Sequence, residues 1–162
     1  MDVNIRVDRR FPMARPELFA LAISNDVLVK TFVGAGPIPA IRKAELLTPG
    51  PLATGSRRRV SNSDGSVIDE EITALETPSR HIYRLPGGFA FPFNLMVREA
   101  EGDWKFSDAA GGTEIVWNYR FSLTTPLFFP VVAPIVRIFF KKAMERCLAG
   151  IAAIASPSAT RA

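Results

Sequence analysis

At 162 residues, with 48% apolar and 22% charged side chains, the chain has the balance of one globular core, which excludes a disordered, collagen-like or coiled-coil polymer. A single cysteine, Cys147, and a single histidine, His81, exclude an internal disulfide and a zinc-ligand spacing, so neither a metal nor a cofactor is expected. The formal charge of +4 is divided: ten Lys/Arg stand against five Asp/Glu over residues 1–60, five against ten over 61–125, and five against one over 126–162, which is no uniform nucleic-acid footprint.

Along the chain, Val3, Ile5 and Val7 alternate with Asn4, Arg6 and Asp8, predicting a first strand with one buried face. The same alternation over residues 1–11 leaves no apolar run for a signal peptide, and a cytoplasmic location is the expectation. Pro12 ends the strand. Residues 15–24 (RPELFALAIS) predict a short helix with Pro16 in its first turn and Leu18, Phe19 and Ala22 at helical spacing, and a second short helix is expected over 26–32. The cluster Gly34-Ala-Gly-Pro-Ile-Pro39 breaks the chain before a strand over 41–48. Arg57, Arg58 and Arg59 form the densest basic run, but no stacking aromatics interleave with them, so nucleic acid is not an expected partner.

From 55 to 123 the pattern is a meander with turn signals at 63–66, 77–79, 86–88 and 109–112. Taken as a two-residue hairpin loop, Asp64-Gly65 sets Arg59 opposite Glu70 and Arg58 opposite Glu71. A loop over 76–79 then sets Glu71 opposite Arg84, Ile72 opposite Tyr83 and Ala74 opposite His81. The inner face so derived carries Arg57, Arg59, Ile68, Glu70, Ile72, Ala74, His81, Tyr83 and Leu85. Arg58, Asp69, Glu71, Thr73 and Arg84 fall on the solvated face. In the last strand Ile115, Trp117, Tyr119, Phe121 and Leu123 make an unusually aromatic inner row, with Trp104 and Phe106 at matching parity. A long helix is predicted over 133–155, with Val136, Phe140, Ala143, Cys147, Ile151 and Ile154 as its apolar stripe. The apolar stretch 127–140 holds two prolines and Arg137, and its fourteen residues fall short of the roughly 20 that a spanning helix needs. One domain over 1–155 and a frayed tail over 156–162 are expected.

The order strand, two short helices, meander and long helix is an α+β arrangement in which the last helix covers the sheet. Together with VDRRFPMARPELF (7–19), Gly55 to Arg59 with Asp64-Gly65, the segment 70–75, Gly102-Asp-Trp104 and GTEIVW (112–117), it resembles the START-like helix-grip superfamily, in its polyketide cyclase/dehydrase-like branch. The resemblance spans nearly the whole chain. It implies a curved antiparallel sheet of about seven strands around the long helix, with an elongated cavity for lipids, sterols, polyketides or similar molecules. It transfers no catalytic set, because members of that superfamily use differing residues and many only bind or carry a ligand.

The candidate ligand contacts are Arg59, Glu70, Ile72, His81, Tyr83, Trp104, Trp117, Tyr119 and Phe140. A few polar groups in an apolar cavity orient a ligand, although Arg59 and Glu70 could equally close part of that cavity as a cross-strand pair. His81 is placed at the cavity rim, near a strand start. The loop 86–92 and residues 127–129 are candidates to cap the entrance. The expected function is binding of a small hydrophobic molecule. Two alternatives stay open: a cyclase or dehydratase with Glu70 or His81 as base and Arg59 or Tyr83 stabilising an enolate, and a membrane-surface lipid or quinone carrier touching the bilayer through 127–140. Membrane contact is the less favoured of these, and the sequence leaves both catalysis and oligomeric state open.

Overall fold

The computed structural model describes residues 1–156, so the tail expected over 156–162 lies outside the described residues except for Ser156. Strand β1 (Asp2–Phe11) buries Val3, Ile5, Val7 and Phe11, as its alternation requires. Helices α1 (Arg15–Ala22) and α2 (Asn25–Thr31) follow. Pro16 stands in the first turn of α1, where a missing N–H costs nothing. Six strands complete the sheet: β2 (Ile41–Leu46), β3 (Arg57–Asn62), β4 (Val67–Glu76), β5 (Arg80–Leu85), β6 (Val97–Ala109) and β7 (Gly112–Leu123). A one-turn helix α3 (Phe93–Met96), not anticipated from the sequence, precedes β6.

The sheet order is β1-β7-β6-β5-β4-β3-β2, with every neighbouring pair antiparallel. The helix-grip α+β architecture of seven strands is therefore the observed one. Its C-terminal helical run starts earlier than residue 133. A 3-10 turn (Pro126–Phe128) leads into α4 (Phe129–Ile135), a π turn (Val136–Phe140) and α5 (Lys141–Ala155). Pro126 and Pro130 sit at first-turn positions, where proline starts helices instead of breaking them. Pro134, inside the run, supplies no N–H to the preceding turn, and the wider π turn follows directly. Val136, Ala143, Cys147 and Ile151 are buried as the stripe predicts, joined by Met144 and Leu148, whereas Ile154 is exposed. The free Cys147 Sγ lies 3.4 Å from Thr31 Oγ1, and burial pushes its thiol up to about 11.

The hairpin register departs from the sequence reading by one residue. Arg58 pairs with Glu70, Arg59 with Asp69 and Val60 with Ile68. The cause is local: the loop contains Ser63, Asp64 and Gly65, closed by hydrogen bonds from Asn62 N to Ser66 O (2.9 Å) and from Gly65 N to Asn62 O (3.1 Å). Gly65 at φ 87° supplies the left-handed residue that a three-residue hairpin demands. Period-2 geometry turns that slip into an exchange of faces for the whole strand. Arg58 is inward, and Arg57 and Arg59 are outward. Beyond the hairpin, Glu71 faces Arg84 and Ile72 faces Tyr83 as derived, until a bulge between Ile72 and Ala74 moves the partner of His81 from Ala74 to Leu75.

Candidate functional site

The concave face of β3 to β7, the ends of α1 and α2, the loop after β5 and the C-terminal helical run enclose a cavity of about 540 Å³. Each wall follows from the sequence pattern. Inward positions of β6 and β7 contribute Trp104, Trp117, Tyr119 and Phe121, and α2 ends on Phe32. The helical run closes the opposite side with Ile135 and Phe140. These rings form one continuous surface: Trp104 and Trp117 lie 4.2 Å apart by centroid, and the Phe140 ring packs edge-on against Tyr119 (4.7 Å) and Phe121 (4.8 Å). At the mouth, Phe89 meets Phe93 (6.2 Å), Phe93 meets Phe121 (6.3 Å), and Phe91 stands 78% exposed. Residues 89–92 of this loop thus line the cavity where Phe91 reaches solvent. Residues 127–129 do not line it.

A buried ion pair stands in the wall. Arg58 donates through Nε (3.0 Å) and Nη2 (2.7 Å) to Glu70 Oε2, with side chains 4% and 7% exposed. Nη1 donates to Asn25 Oδ1 at the start of α2 (3.3 Å). Two charges this deep persist only because each neutralises and hydrogen-bonds the other. His81, Tyr83 and Tyr119 stand beside the pair. Burial, reinforced by the Arg58 charge, depresses the His81 imidazole from 6.5 to about 3, so it is neutral at physiological pH. Burial and the Glu70 carboxylate raise the Tyr83 phenol, and burial together with Tyr83 and Glu70 raises Tyr119 well above its ordinary value. Tyr83 Oη accepts a long hydrogen bond from Trp104 Nε1 (3.4 Å). His81 Nε2 and Trp117 Nε1 are buried and have no partner among the described residues.

Of the sequence candidates, Glu70, His81, Tyr83, Trp104, Trp117, Tyr119 and Phe140 converge on this cavity. Ile72 is buried in the core and is absent from the cavity wall. Arg59 is a correction. It lies on the outer face, where it grips Asp69 through Nε–Oδ1 (2.8 Å) and Nη2–Oδ2 (2.9 Å), and it makes no contact with Glu70. Its inward place is taken by Arg58, which the sequence reading missed and which only the correct loop length could have revealed. His81 is a second correction: it is buried at 3% exposure, away from the solvent-exposed rim. Among the described residues no three His, Cys, Asp or Glu side chains converge into a metal site.

Comparison with known proteins agrees with this architecture. The sequence pattern of the family described as polyketide cyclase / dehydrase and lipid transport matches residues 29–155. No curated protein sequence matches the chain significantly. Among solved structures, Ara h 8.0201 superposes with a TM-score of 0.74 at 16% identity, covering 96% of this chain and 98% of that one. A norcoclaurine synthase point mutant from Thalictrum flavum, in complex with a transition state analogue, gives 0.69 at 13%, covering 96% and 94%. The di-domain ARO/CYC BexL of the BE-7585A biosynthetic pathway gives 0.70 at 14% over 96% of this chain, which spans 50% of the BexL chain. At such identities the likeness is one of fold.

Proposed function

The chain belongs to the polyketide cyclase/dehydrase and lipid transport family, and on that premise we propose that it binds a small hydrophobic molecule, a lipid, polyketide or similar compound, between its sheet and C-terminal helix. The observation that carries this reading is the cavity itself: about 540 Å³ of space behind an aromatic wall, with its few polar groups gathered around Arg58 and Glu70 and at the β3–β4 hairpin residues Asn62, Asp64 and Ser66. That volume falls within the usual range for small-molecule sites. Burial of apolar ligand surface supplies affinity at about 25 cal/mol per Å² before association costs. The test is native mass spectrometry of the purified protein, followed by organic extraction and identification of any passenger by mass. A stoichiometric apolar passenger supports the proposal. A protein that arrives empty and takes up no apolar compound on incubation overturns it.

The cyclase or dehydratase alternative has less support. A histidine held near 3 is a weak base, and the Glu70 oxygen that meets Arg58 is already doubly hydrogen-bonded. It requires turnover that Glu70→Ala or His81→Ala abolishes. The membrane-surface carrier draws on a specific feature: Leu127, Val131 and Ile138 are exposed on the C-terminal helical run, and Phe91 and Leu95 are exposed on the loop and α3.

A further inference from the structure

Within the proposed binding cavity, and resting on that reading, we infer that the preferred ligand ends in an uncharged hydroxyl, as an alcohol or phenol does, and that carboxylates are rejected. Among the described residues lining the cavity the charged side chains are Arg58, Glu70 and Asp64. Arg58 is the sole cation among them, its charge is balanced by Glu70, and three of its five N–H groups already serve Glu70 and Asn25. Asp64, in the β3–β4 loop, adds a second carboxylate. An acidic head seated beside the buried pair would meet a neutralised cation and the Glu70 carboxylate, with Asp64 adding negative charge at the exposed hairpin end, and it would shed its hydration without gaining an unpaired counter-charge.

The hydrogen-bonding inventory points the same way. Both guanidinium contacts fall on Glu70 Oε2, and no hydrogen bond to Oε1 is formed among the described residues, which leaves a carboxylate acceptor in need of a donor. Trp117 Nε1 lies near enough to the Tyr83 hydroxyl to influence it but makes no hydrogen bond of good geometry, and His81 Nε2 is unpaired in a neutral imidazole. Buried polar atoms without partners are uncommon in native proteins, and here both orphans belong to side chains on the cavity wall. A hydroxyl is the small group that donates and accepts at once. Its proton satisfies a carboxylate oxygen while its lone pairs receive an indole N–H. A carboxylate accepts only, and a hydrocarbon end does neither.

Three probes with one aromatic skeleton separate these cases: naphthalene, 2-naphthol and 2-naphthoate, titrated calorimetrically into the full chain at pH 7. The expected result is 2-naphthol binding roughly tenfold or more tightly than 2-naphthoate, and more tightly than naphthalene, as fits a site built to satisfy a hydroxyl. Trp117→Phe trims the wall for every probe, and it should weaken 2-naphthol roughly tenfold more than it weakens naphthalene. Glu70→Gln, which frees the Arg58 charge, should shift the preference toward 2-naphthoate; if that variant does not fold, Trp117→Phe carries the test. Equal or tighter binding of 2-naphthoate to the unaltered protein overturns the hydroxyl inference while leaving cavity binding intact. Failure of all three probes to bind counts instead against the binding cavity, and the inference falls with it.

Discussion

Arg58 and Arg59 are adjacent, chemically identical and oppositely placed, and their energetics should differ accordingly. Removing the Arg58 guanidinium leaves Glu70 charged, buried and unpaired, so Arg58→Met should destabilise the fold by about 3–5 kcal/mol. Replacing both partners with apolar residues, in Arg58→Met/Glu70→Leu, should recover most of that loss, since the stranded charge is gone. Arg59 meets Asp69 in solvent, and Arg59→Met should leave the denaturation midpoint nearly unchanged. Urea unfolding of the four proteins checks this, and a larger loss for Arg59 than for Arg58 would contradict the register. His81 gives a second prediction at this scale. Its pKa is about 6.5 when unfolded and about 3 when folded, so between those values the unfolded chain binds the extra proton. Stability is then fully present above pH 6.5 and falls as pH drops, by about 1.4 kcal/mol per pH unit from this group alone. Unfolding free energies from pH 7 to 5 should slope less in His81→Phe than in the parent; identical slopes would show that the imidazole is not held neutral.

At the level of elements, alternation disclosed the strands and helical spacing disclosed the helices, because burial on one face imposes those periods on composition. Ile68, Glu70, Ile72, Tyr83 and Leu85 share the inner face that alternation predicts for them, since an even displacement along a strand preserves parity. The β3 face was not legible. Asp64-Gly65 supports loops of two or three residues, and the choice is made by hydrogen bonds among Asn62, Asp64 and Ser66 that no hydrophobic pattern records. The Ile72–Ala74 bulge was hidden for a like reason. Gly102 shows a further constraint. It pairs with Tyr83 on one side and Tyr119 on the other, and a methyl group on it would fall on the Tyr83 ring. Bare backbone there lets the phenol lie flat across the sheet beside Glu70 and His81. Gly102→Ala should therefore push Tyr83 into the cavity, cost about 1–3 kcal/mol by overpacking, and weaken uptake of apolar probes. Unchanged stability together with unchanged uptake would show that the ring has room to move aside.

Across the whole molecule, charge and apolar exposure are distributed together. The sheet's outer face carries matched pairs, among them Arg84 with Glu71 (2.9 Å) and Glu99 (3.1 Å), and Arg80 with Asp103 (3.0 Å). The C-terminal run is different: residues 115–144 contain no Asp or Glu, while Arg137, Lys141 and Lys142 are exposed. Leu127, Val131 and Ile138 recur at helical spacing on the solvent side of the same run, Leu127 at 84% exposure. A hydrogen bond from Thr124 Oγ1 to Leu95 O (2.7 Å) ties the approach to this run to α3, and through it to the exposed Phe91 loop at the cavity mouth. No helix among the described residues is long and apolar enough to cross a membrane, so contact through this face would be with a surface. An apolar ridge with cations beside it suits an anionic bilayer: each nearby Lys or Arg contributes about 1 kcal/mol at low salt, and salt screens that part but leaves apolar insertion. Co-sedimentation with phosphatidylglycerol vesicles should then exceed that with phosphatidylcholine vesicles, decline without vanishing in high salt, and be lost in Leu127→Asp/Val131→Asp. Absence of sedimentation at low salt, or an unaffected double variant, would leave the cavity to load from solution, and the exposed ridge would then have no part in ligand delivery.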